Sequence, residues 1–138
     1  MTPREWRHLP VGDKPAVAIL VAHEPVRKCL QELLQENGYP ASVMANPQQL
    51  IRLLRQKKCA TVFVDCEALR IHGTGICSKF KVACPYCRVV LLCDKSLAGN
   101  RQIIREAMEI GIYACLLPPY KDWEVLTMVS FYPRVCSI

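Results

Sequence analysis

Thr61-Val62-Phe63-Val64-Asp65 is an apolar run that stops on an acid. A short stretch of β-branched and aromatic residues reads as a strand buried on both faces, as in a parallel sheet. A carboxylate at the end of such a strand lies where open α/β sheets hold their ligands, outside the carboxyl ends of the strands. Asp65 is thus the first candidate site residue, and the rest of the chain must supply a sheet around it.

Two more unbroken apolar runs, Ala16 to Val21 and Arg88 to Cys93, read as buried strands of the same kind. Ala41 to Met44 and Tyr113 to Leu117 add two shorter ones, with the run holding Asp65 set at Ala60 to Val64. Between them the apolar spacing turns helical. Val26, Leu30, Leu33 and Leu34 form one stripe, with Pro25 at its start and Asn37-Gly38 as its stop. Asn46-Pro47 reads as an N-cap followed by proline at the first helical position, ahead of Leu50, Leu53 and Leu54. A glycine-bearing loop and a weaker helix, about His72 to Val82, follow the Asp65 strand. Ile103, Ile104, Ala107, Met108 and Ile110 line a fourth helix closed by Gly111, and Trp123, Val125, Leu126 and Val129 mark the last. Strand and helix alternate five times, which predicts an α/β fold: a doubly wound, five-stranded parallel sheet of flavodoxin-like (βα)5 type in one domain. The domain is expected over 16–132, with 1–15 as an N-terminal arm and 133–138 as a C-terminal tail.

The 138 residues are 51% hydrophobic and 22% charged, and no apolar run approaches the ~18 residues of a membrane span. Residues 1–15 lack the apolar centre of a signal peptide, so the expected location is cytoplasmic, with no membrane partner. The formal charge of +6 is scattered over helix faces without an arginine-aromatic weave. That balance supports only non-specific attraction to nucleic acid and argues against a dedicated nucleic-acid interface. The nine cysteines are odd in number and have no secretory context, so the expectation is reduced, mostly structural thiols. Cys29, Cys93 and Cys115 fall on apolar elements and read as small hydrophobes.

The order of landmarks resembles the receiver domain of bacterial response regulators over about residues 16 to 131. Ile19 to Pro25 stands where that family has an apolar strand, two acids and often Glu-Pro. Val62 to Asp65 matches the strand ending in the phospho-accepting aspartate, with Gly73 at the family's glycine. Leu91-Leu92-Cys93-Asp94 matches the strand that ends in a Ser or Thr switch residue. Gly111 through Leu116-Leu117-Pro118-Pro119-Tyr120 matches the segment ending Lys-Pro-Phe. The resemblance implies a Mg²⁺ held by the acid pair and the acceptor, but Ala22 and His23 stand at the pair's positions and Glu24 is the possible substitute ligand. Mg²⁺ demands hard oxygen donors, and an imidazole is a nitrogen ligand suited to zinc, copper or nickel. The family's lysine is replaced by Pro118, and the two switch positions carry Cys93 and Cys115. Pro119 matches a proline preceded by a cis bond. Only Asp65 survives from the phosphotransfer machinery, which implies a non-enzymatic pseudo-receiver that acts through protein partners, with no cofactor unless phosphorylation and its Mg²⁺ are retained. The docking face implied by the family would include Ile112, Tyr113, Trp123 and Met128, serving a kinase, an effector or a second copy as homodimer.

Two other readings stay open. A working phosphoacceptor could use Glu24 and Asp65 with a displaced Mg²⁺. Alternatively, the chain is a thiol redox or metal sensor. Cys84-Pro85-Tyr86-Cys87 is spelled like a glutaredoxin active site, although it precedes a strand and not a helix. His23, Asp65, Cys66, Cys93 and Asp94 would gather at the carboxyl edge, with His72 approaching from the loop, as a site for a borderline metal of unknown identity.

Overall fold

The structure, a computed structural model, describes residues 14–56, 59–93 and 97–130. The expected tail from 133, most of the expected arm, and Asp94 lie outside the described residues. In chain order the elements are β1 (Ala16–Leu20), α1 (Glu24–Glu36), β2 (Ala41–Val43), α2 (Pro47–Arg55), β3 (Cys59–Asp65), α3 (Cys66–His72), α4 (Gly75–Ala83), β4 (Arg88–Leu92), α5 (Leu97–Ile110), β5 (Ala114–Leu116) and α6 (Asp122–Val129). The five strands form one sheet, all parallel, in the order β2-β1-β3-β4-β5. The strand that ends in Asp65 is therefore central.

Strand alternation divides the core in two. Ala18, Leu20, Val62, Val64, Val89 and Leu91 point to one face, which Leu50 and Leu54 of α2, Phe80 of α4 and Ala107 of α5 cover. Val17, Ile19, Phe63, Val90 and Leu92 point to the other, under Leu30 and Leu34 of α1 and Val125 and Val129 of α6. Burial on both sides explains why these strands read as continuous apolar runs without a polar alternate.

Local signals act where the sequence places them. Asn46 accepts a hydrogen bond from the Gln49 N–H at 2.8 Å, and the Gln49 side chain accepts from the Ala45 N–H at 2.7 Å, a reciprocal box that starts α2. Gly111 ends α5 with φ +100°, a conformation that costs a side chain bearing Cβ.

One element departs from expectation. The segment after Asp65 is not a loop, because α3 begins at once. Gly73, with φ +89°, is the C-cap that separates α3 from α4. An extended residue with an acceptor side chain, followed by residues free to turn, starts a helix as well as it ends a strand.

Candidate functional site

The carboxyl edge of the sheet is assembled by register. Leu20 pairs with Val64 across β1 and β3, and Asp65 with Leu92 across β3 and β4. The turn after β1 is thereby brought against the Asp65 side chain. Asp65 is 7% exposed, and its carboxylate is occupied by backbone donors. Oδ1 accepts from the N–H of Ala22 at 3.0 Å and of Ala68 at 2.9 Å. Oδ2 accepts from Ala22 at 3.1 Å and from the His23 N–H at 3.0 Å. The Ala68 bond makes Asp65 the N-cap of α3. The other bonds fasten the β1–α1 turn to the end of β3. This single carboxylate thus joins three elements.

The resemblance set two acids beside Asp65. In the structure, exposed Ala22 and His23 meet Asp65 through their backbone N–H groups. Glu24 is the first residue of α1 and exposed, placed where an acid favours the helix dipole. His72 ends α3, roughly 10 Å of helical rise from Asp65, and is exposed. Cys66 is fully buried. Among the described residues no group of three His, Cys, Asp or Glu side chains could hold a metal ion. Mg²⁺ requires several oxygen donors at once, and the positions flanking Asp65 contribute a methyl and an imidazole. The described residues do not fit a receiver-type Mg²⁺ site.

The switch positions hold a larger correction. Cys93 and Cys115 are not two packed thiols but a disulfide, with Cα atoms 6.7 Å apart and within the usual range for that bond. Cys93 follows β4, and Cys115 is the middle residue of β5, whose neighbour Leu116 accepts the Cys93 N–H at 2.9 Å. With its sulfur bonded, Cys93 offers no thiolate to a metal in this state. The odd cysteine count pointed away from disulfides. What could have found this one is the pairing of β4 with β5, which brings the two switch positions side by side. Cys29, expected on an apolar face, is instead exposed on α1.

Pro118 is half-buried, and the Pro118-Pro119 bond is cis. The hydroxyl of Tyr120 donates to the Cys93 carbonyl, linking the segment before α6 to the end of β4. Along the face of α5, β5 and α6, Met108, Tyr113, Leu117 and Trp123 are exposed, Tyr113 by 52% and Trp123 by 65%. Met128 is half-buried. Ile112 does not belong to that face. It is 8% exposed and packs into the core beneath α5, because the turn at Gly111 points it inward.

At the opposite, amino edge lie Cys84 and Cys87. Cys87 is buried, and desolvation, with a smaller effect of neighbouring Cys84 and Cys59, pushes its thiol up to about 12. Burial likewise raises Cys59 to about 11. Both are protonated at neutral pH, the reverse of an activated redox thiol.

A doubly wound parallel sheet in the order β2-β1-β3-β4-β5, with an acid closing its central strand, defines an α/β domain of the flavodoxin-like class. Within that class the chain belongs to the response regulator receiver domain family, whose profile matches residues 17–130. A response regulator from Thermotoga maritima superposes with a TM-score of 0.68 at 18% identity, over 86% of this chain and 99% of that one. The receiver domain of NtrX from Brucella abortus gives a TM-score of 0.67 at 17% identity, over 80% and 92%. The receiver domain of the sensor histidine kinase PA1611 from Pseudomonas aeruginosa, with a magnesium ion coordinated in its active site cleft, gives 0.68 at 16% identity, over 84% and 94%. In sequence, a putative NtrX-like response regulator of Rickettsia bellii is 23% identical over 124 residues, 88% of this chain. The chain spans 25% of the length of that curated relative. No helix among the described residues is long and apolar enough to cross a membrane.

Proposed function

We propose that this receiver domain is a pseudo-receiver: a non-catalytic, cytoplasmic interaction module of two-component signalling that does not carry Mg²⁺-dependent phosphotransfer. The observation that carries the reading is the carboxylate of Asp65, which accepts backbone hydrogen bonds from Ala22, His23 and Ala68 and, among the described residues, belongs to no cluster of side chains that could hold a metal ion. Phosphotransfer to a carboxylate needs a free oxygen as nucleophile and cations around the phosphoryl group as charge develops. At Asp65 both oxygens are engaged, and the position of the family's lysine holds Pro118, which has no charge to give. What remains suited to signalling is shape.

The partner face of this reading comprises Met108, Tyr113, Leu117 and Trp123, an apolar group on the edge strand and its flanking helices. Surfaces of this composition exclude water well on association. A kinase or effector domain, or a second copy of the chain, would dock there.

An amide NMR titration tests the site: Mg²⁺ first, then beryllofluoride, on the parent chain and on Asp65→Asn. The pseudo-receiver predicts no saturable shifts near Asp65 at millimolar Mg²⁺. Saturable shifts that Asp65→Asn abolishes would restore the phosphoacceptor, with Glu24 as the first ligand to examine. For the face, light scattering over a concentration series should show a dimer that Trp123→Ala weakens. A monomer throughout would leave only a different partner.

A further inference from the structure

We propose that Cys93 and Cys115 form a reversible redox site, whose substrates are small thiol–disulfide couples of the dithiol and glutathione kind. The proposal stands independently of the fate of Asp65 and of the partner face.

Three observations carry it. The two sulfurs are bonded, whereas Cys29, Cys59, Cys77, Cys84 and Cys87 carry free thiols, so this pair is distinguished from those five cysteines. Next, the bond joins strand ends that the fold already holds together. The Cys93 N–H donates to the Leu116 carbonyl, Leu92 pairs with Leu116, and the Tyr120 hydroxyl donates to the Cys93 carbonyl. Opening the bond therefore leaves both thiols within reach of each other, and closing it again is an intramolecular step at high effective concentration. A disulfide that only staples an otherwise loose segment lacks this property. Finally, the two sulfurs differ in access. Cys93 is fully buried, while Cys115 is half-buried on β5, a three-residue strand at the edge of the sheet. The half-buried edge residue is therefore the side from which an incoming thiolate would approach.

The chemistry balances as thiol–disulfide exchange. A thiolate of the reductant attacks the Cys115 sulfur, the S–S bond breaks, and the Cys93 sulfur leaves as thiolate and takes a proton. The reductant's second thiol then displaces the Cys115 sulfur, which is protonated in turn. Two electrons and two protons pass to the protein, and the dithiol departs as a cyclic disulfide. In reverse, the Cys115 thiolate attacks glutathione disulfide and releases one glutathione. The Cys93 thiol then closes the intramolecular bond and releases the second.

The state of this pair decides how β5 is held. Oxidised, β5 is tied to β4 by a covalent bond in addition to its ladder. Reduced, only a short edge ladder remains, and edge strands open most readily.

The test uses the intact, undenatured chain at near-neutral pH. One arm receives excess dithiothreitol and another glutathione disulfide. Each is quenched with acid, unfolded, alkylated, digested and read by mass spectrometry. The Cys93–Cys115 cross-link should fall at least tenfold in dithiol and return in glutathione disulfide. Amides of Ala114 to Leu116 should exchange with deuterium about tenfold faster in the reduced form. A double variant, Cys84→Ser with Cys87→Ser, should behave as the parent. A cross-link that survives native dithiol and yields only with denaturant overturns the proposal. So does failure of the pair to re-form from thiols in glutathione disulfide, or loss of the response in the double variant.

Discussion

Replacing Asp65 by alanine is the perturbation whose sign discriminates between the readings of the site. In a working receiver pocket several acids crowd together, and removing one relieves like-charge repulsion. In this chain Asp65 has backbone N–H groups as neighbours, so its removal should destabilise. The Ala68 N–H loses its cap, which costs ~1 kcal/mol at a typical helix N-terminus. The Ala22 and His23 N–H groups lose a charged acceptor, ~1.5–3 kcal/mol each where water cannot follow. Because Ala22 and His23 are exposed, solvent recovers a large part of that loss. The sum is about 2–4 kcal/mol, a substantial fraction of the ~5–15 kcal/mol that holds a typical domain folded. Urea unfolding followed by circular dichroism measures it, with Asn46→Ala as the internal reference. Asn46 is a cap with one such bond, to Gln49, and should cost about 1 kcal/mol. If Asp65→Ala lies within about 0.5 kcal/mol of the parent, or is more stable, the reasoning fails. That outcome would mean the carboxylate does not bear the turn, α3 and β3 together.

Three further outcomes follow from the same structure. The Cys93–Cys115 bond, with a sequence separation of 22, should contribute about 3 kcal/mol through the unfolded chain, so thermal unfolding with dithiol present should occur about 12 °C lower. Cys59, Cys77 and Cys87 have native thiols raised by burial to about 11, 11 and 12 from a reference of 9.0. Each keeps its proton in the folded state where the unfolded chain has lost it, so their contribution is complete below pH 9 and disappears as pH rises through 11 to 12. Unfolding free energies in reducing buffer should therefore decline above pH 9, with a slope of about one proton per buried thiol. Lastly, Arg88 donates to the Met128 and Ser130 carbonyls at 3.0 and 2.8 Å and stacks over Tyr113 at 4.6 Å. Arg88→Ala should cost about 1–2 kcal/mol and fray the last turn of α6, read as faster amide exchange there.

Much of the architecture was legible in residues close to one another. Val62-Phe63-Val64 is buried on both faces of a parallel sheet, and a run without polar alternates says so before any partner is known. Asn46-Pro47 and Gly111 mark helix ends through side-chain and backbone chemistry confined to a turn. Alternation of such signals leaves few topologies, which is why the parallel sheet could be anticipated. The helix after Asp65 was harder to see, because its start depends on what the acid's side chain accepts. Ile112 was misplaced for a similar reason: apolar character shows that a residue wants burial, not which side of a turn it faces.

The site was decided by tertiary structure. Ala22 and His23 precede Asp65 by more than forty residues, and only the β1–β3 register turns their N–H groups toward its oxygens. Cys93 and Cys115 are likewise joined by the pairing of β4 with β5, across the whole of α5. Propensity and periodicity act over a few residues, so one strand or helix is written in its own stretch of chain. The partner of a carboxylate or a sulfur depends on how those elements are set side by side. The sequence alone therefore determined that Asp65 would end a buried strand. The fold determined that its oxygens would hold the backbone, and that two cysteines would meet beside it.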